Sequence, residues 1–96
     1  MKIFLYDDWR LGYGHFASVD GFKLTQYKDH DNLEAIREED GRIYGYIYEV
    51  DEMSLDMLDA YYGVDTLHRR ITVTATLQGG QKIEVQMYES LHAEMV

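Results

Sequence analysis

One stretch of this chain carries complete start and stop signals of a helix, and strand-like patterns lie on both sides of it. Asp51 can cap the N-terminus of this helix, and Gly63 can take the left-handed conformation that ends a helix at low cost. Between them, apolar residues recur at i, i+3 and i+7, so the helix has one stripe suited to burial, made of Leu55, Leu58 and Tyr62. The sequence therefore predicts a single main helix over residues 52–62.

Strand patterns occupy the chain before this helix. Residues 2–6 form an apolar run suited to a buried strand, and Asp20-Gly21 is a hairpin signal between two strand-like segments. Residues 28–41 are polar and offer few anchors for a core. Residues 43–49 alternate with both faces suited to burial, which indicates a central strand of a closed or strongly curved sheet. Gly45 within that strand indicates a bend or the close approach of another group.

A hairpin pattern follows the helix. Apolar residues alternate with threonine over 71–77 and with polar residues over 83–87, and Gly79-Gly80 can form the turn between them. Residues 89–96 resemble a frayed tail. Together the elements predict an α+β fold, a small mixed β-barrel with one main packed helix.

The length and charge of the chain limit its possible roles. Its 96 residues suit one compact domain, 1–96, and no segment approaches the roughly 20 apolar residues of a membrane span. The 18 acidic residues outnumber the 9 basic ones, and a net charge of −9 repels nucleic acid and anionic membranes. Without cysteine the chain has no disulfide or thiolate metal site. We expect a cytoplasmic protein with no general nucleic-acid or membrane partner.

Five short elements, in order along the chain, resemble the motifs of one known family. They are Leu5-Tyr6-Asp7-Asp8-Trp9-Arg10-Leu11-Gly12, the strand 44–50, Leu58-Asp59-Ala60-Tyr61-Tyr62-Gly63, His68-Arg69-Arg70 and Met87-Tyr88. The first is similar to a strand that runs into Tyr-Gly-Ser/Thr-Leu-Arg, and the third is similar to Leu-Asp-x-x-Glu-Gly. By these elements the chain resembles the γ-glutamylcyclotransferase-like (AIG2-like) family, and the resemblance covers most of the chain.

The resemblance implies an altered catalytic position. In the family, the glutamate of Leu-Asp-x-x-Glu-Gly shuttles a proton while the substrate amine attacks its own γ-carbonyl and 5-oxoproline is released. Tyr62 stands at that position, and a phenol, with a reference pKa of about 10 against about 4.3 for Glu, is a poor base near neutral pH. Losing a general base typically costs about 10²–10⁴-fold in rate. Asp7 and Asp8 replace the Gly and Ser/Thr of the loop; they would repel a glutamyl carboxylate, or they or Asp59 could serve as a substitute base.

The predicted function is therefore a small-molecule-binding protein on this scaffold without cyclotransferase catalysis, a pseudoenzyme that sequesters a metabolite or a nucleotide-like signal in the manner of a phage-type sponge. Two alternatives stay open: an active γ-glutamyl(amine) cyclotransferase with a relocated acid/base, and a protein-interaction module. The rings near the cavity could also simply fill a site that has lost its substrate. The predicted ligand-binding residues are Tyr6, Asp7, Asp8, Trp9, Arg10, Tyr13, Tyr62, His68 and Arg70.

No cofactor is implied by the sequence, and no metal site is predicted. Asp7, Asp8 and His15 contain ligand-type side chains, but they follow no metal-binding spacing. The sequence leaves open whether the chain forms a homo-oligomer.

Overall fold

Five strands and one helix form the described part of the computed structural model, which comprises residues 1–7, 12–26 and 33–91. In chain order the elements are β1 (Lys2–Leu5), β2 (His15–Thr25), β3 (Glu34–Glu49), α1 (Glu52–Tyr62), β4 (His68–Leu77) and β5 (Lys82–Ser90). The strands close into a barrel in the order β1-β3-β2-β4-β5. Strands β1 and β5 are parallel where they close the barrel, and the other neighbouring pairs are antiparallel. The predicted mixed α+β barrel with one main helix is confirmed.

The helix begins and ends at the predicted residues for the predicted reasons. The Asp51 carboxylate accepts a hydrogen bond from the backbone N–H of Ser54 at 2.8 Å, which satisfies one of the unpaired donors of the first turn. Gly63 has φ +67°, and its N–H donates to the Ala60 carbonyl at 3.3 Å. The buried residues of the helix are Leu55, Leu58 and Tyr62.

Two apolar clusters result from the alternation of side chains along the strands. The larger fills the barrel and includes Phe4, Ile47 and Met87. The second joins the helix stripe to the opposite faces of β1, β3 and β5, with Ile3, Leu5, Tyr48 and Tyr88 among its members. The barrel therefore packs the helix against one side and positions the C-terminal end of α1 beside the ends of β1 and β5.

The central strand is longer than predicted, and neighbouring residues are buried on both of its faces only near its two ends, at 34–35 and 47–48. It lies between β1 and β2, as the two-sided apolar pattern indicated. Tyr48 is buried in the helix cluster, whereas Tyr44 and Tyr46, on the same face, are 54% and 47% exposed. A Cβ at Gly45 would overlap the carbonyl oxygen of Leu5, which confirms the predicted close approach.

Three local expectations differ from the structure. Asp20-Gly21 does not form a hairpin: β2 continues through it, and its register against β3 shifts between Asp20 and Phe22. Gly21 takes φ +91°, so the glycine permits a bulge rather than a chain reversal. Residues 34–41, in the polar segment, are the first half of β3. Pairing of residues 34–37 with β2 stabilises a strand that its own apolar content does not indicate. Glu89 and Ser90, expected to begin a frayed tail, are the last two residues of β5.

Candidate functional site

Side chains from five elements meet where β1, α1 and β5 end and β3 and β4 begin. We call this group the Tyr62 cluster; it consists of Asp7, Glu34, Tyr62, His68 and Tyr88. The C-terminal ends of β1 and α1 supply Asp7 and Tyr62. The parallel closure of β1 against β5 brings Tyr88 alongside them.

Tyr62 is held as a hydrogen-bond donor. Its phenol donates to Oδ2 of Asp7 at 2.6 Å, a short distance typical of an O–H donor and an ionised acceptor. Its ring stacks on Tyr88 with centroids 4.2 Å apart and planes 14° apart, and it meets the His68 ring edge-on at 5.2 Å. The side chain is only 4% exposed. Packing and hydrogen bonding therefore fix both the ring and its hydroxyl.

His68 links the end of the helix to a buried carboxylate. Its Nδ1 lies 2.7 Å from the backbone carbonyl oxygen of Tyr62, so this nitrogen carries the proton and donates. Its Nε2 lies 3.3 Å from Oε1 of Glu34, and both side chains are buried. Within the described residues this Nε2 makes no hydrogen bond. The contact with Glu34 becomes an ion pair only when the imidazole is protonated.

Asp59 has two partners within the protein. Its carboxylate accepts a hydrogen bond from the Tyr88 hydroxyl at 2.7 Å and lies 3.1 Å from Nη1 of Arg70. Burial, followed by the hydrogen bond to Asp59, raises the pKa of Tyr88, so its phenol stays protonated across the physiological range. Asp59 therefore positions Tyr88 and Arg70.

Tyr6 connects the barrel core to the Tyr62 cluster. Its hydroxyl donates to the backbone carbonyl oxygen of Tyr88 at 2.8 Å, and its ring belongs to the barrel core. Burial raises the pKa of the Tyr6 phenol, and the neighbouring charges of Asp7 and Glu34 raise it further. The hydroxyl thus acts as a neutral donor that ties β1 to β5.

The structure brings together five of the nine predicted ligand-binding residues and separates one. Tyr13 is 87% exposed, and its ring contacts His15 rather than the cluster. Asp8, Trp9 and Arg10 lie outside the described residues. The five that meet are Tyr6, Asp7, Tyr62, His68 and Arg70.

Buried glutamates were not predicted from the sequence. Glu34 joins the Tyr62 cluster, and Glu89, with a side chain only 4% exposed, lies 2.6 Å from Nε of Arg37 and 3.0 Å from Nε of Arg69. The alternation of Val85 and Met87 on β5 extends to Glu89 and could have indicated its inward position. No pattern around Glu34 signalled burial, because it begins a strand in a polar segment.

Among the described residues, carboxylates outnumber cationic groups in and beside the Tyr62 cluster. Three carboxylates, those of Asp7, Glu34 and Asp59, accompany one guanidinium, that of Arg70, and one imidazole, that of His68. These three carboxylates would repel the carboxylate or phosphate of a ligand, whereas an amine could donate to Asp7. Across the described ranges, no group of three or more His, Asp or Glu side chains is arranged to hold a metal ion. Nor does any helix of that part have the length and hydrophobicity to cross a membrane.

The chain is similar to known proteins both in its sequence and in its fold. A family model described as gamma-glutamyl cyclotransferase, AIG2-like, matches residues 5–95. The fold is similar to a solution structure of an Arabidopsis thaliana protein, with a TM-score of 0.81 and 21% identity over 94% of this chain and 68% of that one. It is also similar to a structure described as gamma-glutamyl cyclotransferase, with a TM-score of 0.73 and 19% identity over 93% of this chain and 65% of that one.

A crystal structure of an AIG2-like protein from Mus musculus is similar to the same degree. Its TM-score is 0.73 at 18% identity, over 94% of this chain and 59% of that one. The chain thus spans roughly three fifths to two thirds of the length of these structures. No curated protein matches it in sequence.

Proposed function

Because the chain belongs to the gamma-glutamyl cyclotransferase, AIG2-like family, we propose that it binds a small molecule at the Tyr62 cluster and does not catalyse the cyclisation. One observation carries this proposal: the Tyr62 phenol, at the position that the family resemblance gives to the catalytic glutamate, donates a 2.6 Å hydrogen bond to Asp7. A neutral phenol that donates a hydrogen bond to a neighbouring carboxylate is not a base for a substrate amine.

The packing of Tyr62 supports the same proposal. The ring is stacked on Tyr88 and contacts His68, so the hydroxyl cannot swing toward a substrate without breaking both contacts. A general base must lie within hydrogen-bond reach of one particular proton. The side chain instead serves as a wall of the site and as the partner that orients Asp7.

The ligand class follows from the charges. A γ-glutamyl group carries an α-carboxylate beside its α-ammonium, and the excess of carboxylates around Asp7 and Glu34 repels that α-carboxylate, whereas a simple amine has no group to be repelled. An amine-bearing metabolite would pair with the same carboxylates. Of the two ligand classes considered for a sequestering protein, the amine-bearing metabolite is therefore favoured over the phosphate-bearing nucleotide.

Thermal unfolding with a ligand panel tests this binding role. The panel contains amines such as spermidine and putrescine, anions such as glutamate and adenosine monophosphate, and γ-glutamyl compounds. A ligand present at about 100 times its Kd stabilises a folded protein by about 2.7 kcal/mol, and each kcal/mol shifts the Tm of a domain of this size by about 4–8 °C. We expect stabilisation by one or more amines and none by the anions.

Two matched variants locate the binding. Asp7→Asn removes the charge at the Tyr62 cluster and should abolish the shift, whereas Asp56→Asn removes a charge from the exposed face of α1 and should preserve it. A shift that survives Asp7→Asn, or a panel in which only anions stabilise the protein, contradicts the proposal.

A second candidate function is supported by the same short distance. Asp7 places a carboxylate 2.6 Å from the Tyr62 oxygen, so Asp7 could accept the substrate proton in place of the family glutamate. Release of 5-oxoproline from γ-glutamyl amines, abolished by Asp7→Asn and preserved in Asp56→Asn, would establish this alternative. We rank it second because Asp7 already accepts a hydrogen bond from the Tyr62 phenol and because the surrounding charge disfavours the substrate carboxylate.

A further inference from the structure

An exposed group of aromatic side chains lies on the outer surface of the β2–β3 pair. Phe16 and Tyr46 are directly opposite across the two strands, and Tyr44 lies two positions from Tyr46. The Phe16 and Tyr44 rings stack with centroids 5.9 Å apart, and Phe16 meets Tyr46 edge-on at 5.6 Å. These rings are 37%, 54% and 47% exposed in chain order. We call Phe16, Tyr44 and Tyr46 the aromatic face.

The aromatic face continues into a surface cleft of about 480 Å³, because Tyr44 belongs to both. We call this the acidic cleft; it is lined by Asp20, Glu39, Asp40, Gly41, Arg42 and Tyr44. Three carboxylates in this lining accompany one guanidinium, which gives a formal charge of −2.

The guanidinium in the lining of the acidic cleft, that of Arg42, is already paired with a carboxylate. Arg42 Nε lies 2.6 Å from Oδ1 of Asp20, and this contact together with a hydrogen bond to Tyr44 raises the pKa of the guanidinium. The excess negative charge therefore comes from Glu39 and Asp40, both exposed. This negative charge lies next to the aromatic face, because Glu39 and Asp40 line the same cleft as Tyr44.

We propose that the aromatic face and the acidic cleft together dock a basic segment of a partner polypeptide. Exposed aromatic side chains in a contiguous group are typical of interaction surfaces, and tyrosine is enriched at interface cores. Lysine and arginine side chains can lie over the Tyr44 and Phe16 rings, and their charged ends can reach Glu39 and Asp40. The site shares no residue with the Tyr62 cluster and does not depend on the small-molecule proposal.

Charge selects this occupant over a second copy of the chain. Two copies meeting through the same surface would bring two acidic clefts together, and each copy carries a net charge of −9. Like charges across an interface cost affinity, whereas a basic partner gains from the same field.

The binding of a short peptide of alternating lysine and valine, labelled with fluorescein, tests the proposal by fluorescence anisotropy. A peptide of alternating glutamate and valine is the control probe. Three protein variants, each checked for an unchanged thermal unfolding transition, locate the site. Tyr44→Ala removes the ring common to both surfaces, Glu39→Lys reverses a charge of the acidic cleft, and Glu84→Lys reverses an exposed charge on β5 outside both.

We expect the basic peptide to bind and the acidic peptide not to bind. Tyr44→Ala should weaken binding about three- to tenfold and Glu39→Lys about tenfold, whereas Glu84→Lys should change it less than about twofold. Equal loss in Glu39→Lys and Glu84→Lys would show attraction to net charge alone and overturn the proposal. Equal binding of the two peptides, no effect of Tyr44→Ala, or a concentration-dependent dimer that Tyr44→Ala dissociates would overturn it as well.

Discussion

The hydrogen bond between Tyr62 and Asp7 has a strength that a double-mutant cycle can measure. Tyr62→Phe removes the hydroxyl and keeps the ring that stacks on Tyr88 at 4.2 Å, so the substitution deletes the hydrogen bond with little change in packing. A hydrogen bond to a charged group contributes about 1.5–3 kcal/mol to stability, and the 2.6 Å distance in a partly buried site favours the upper part of that range. Tyr62→Phe should therefore lower Tm by about 4–8 °C for each kcal/mol lost.

The cycle combines Tyr62→Phe with Asp7→Ala and measures the free energy of unfolding by urea denaturation. If the two side chains interact as the structure shows, the losses of unfolding free energy in the two single variants will add up to at least about 1 kcal/mol more than the loss in the double variant. Tyr46→Phe, at a half-exposed position, is the control and should change stability by less than about 0.5 kcal/mol. Additivity within about 0.3–0.5 kcal/mol would refute the view that Tyr62 is held by Asp7.

Three further predictions concern the scaffold. Gly45→Ala should cost about 1–3 kcal/mol or more by urea denaturation, because the added methyl would overlap the backbone carbonyl of Leu5, which has little room to move. Asp51→Ala should destabilise the protein at neutral pH but not in strong acid, because the hydrogen bond from Ser54 lowers the pKa of Asp51 in the folded state. The stability that Asp51 contributes is therefore present above the unfolded-state pKa and is lost as pH falls through the lower folded-state pKa. A loss of stability that does not vary with pH would contradict this. Glu89→Gln should cost about 1–2 kcal/mol, since it weakens two charge-assisted contacts whose arginine partners are partly exposed; unchanged thermal unfolding would show that the contacts are negligible.

Much of the fold could be predicted because local signals and tertiary packing agree. The helix between Asp51 and Gly63 has its cap, its stripe and its stop within one short segment. The β4–β5 hairpin likewise combines alternation with a glycine turn. The first half of β3 could not be predicted, since it depends on the pairing of residues 34–37 with β2, which lies at a distance in the sequence. Asp20-Gly21 misled for a related reason, because a glycine with positive φ serves a bulge as well as a turn.

The site was predictable only in part. The family resemblance named Asp7, Tyr62 and His68, and the structure brings these three together. It could not supply Glu34, whose burial depends on the position of His68 across the barrel rather than on any neighbour in sequence. Nor could it show that the Tyr62 hydroxyl points at Asp7, because a side-chain direction depends on packing against Tyr88.

Whether the protein lacks cyclotransferase activity can be measured as the release of 5-oxoproline from a γ-glutamyl amine, followed over time with purified protein. We expect no release above the rate without protein, because the phenol of Tyr62 is a hydrogen-bond donor and the surrounding carboxylates repel the substrate carboxylate. Turnover by the unaltered protein that Asp7→Asn abolishes and Asp56→Asn preserves would show that the protein is an enzyme and identify Asp7 as the base.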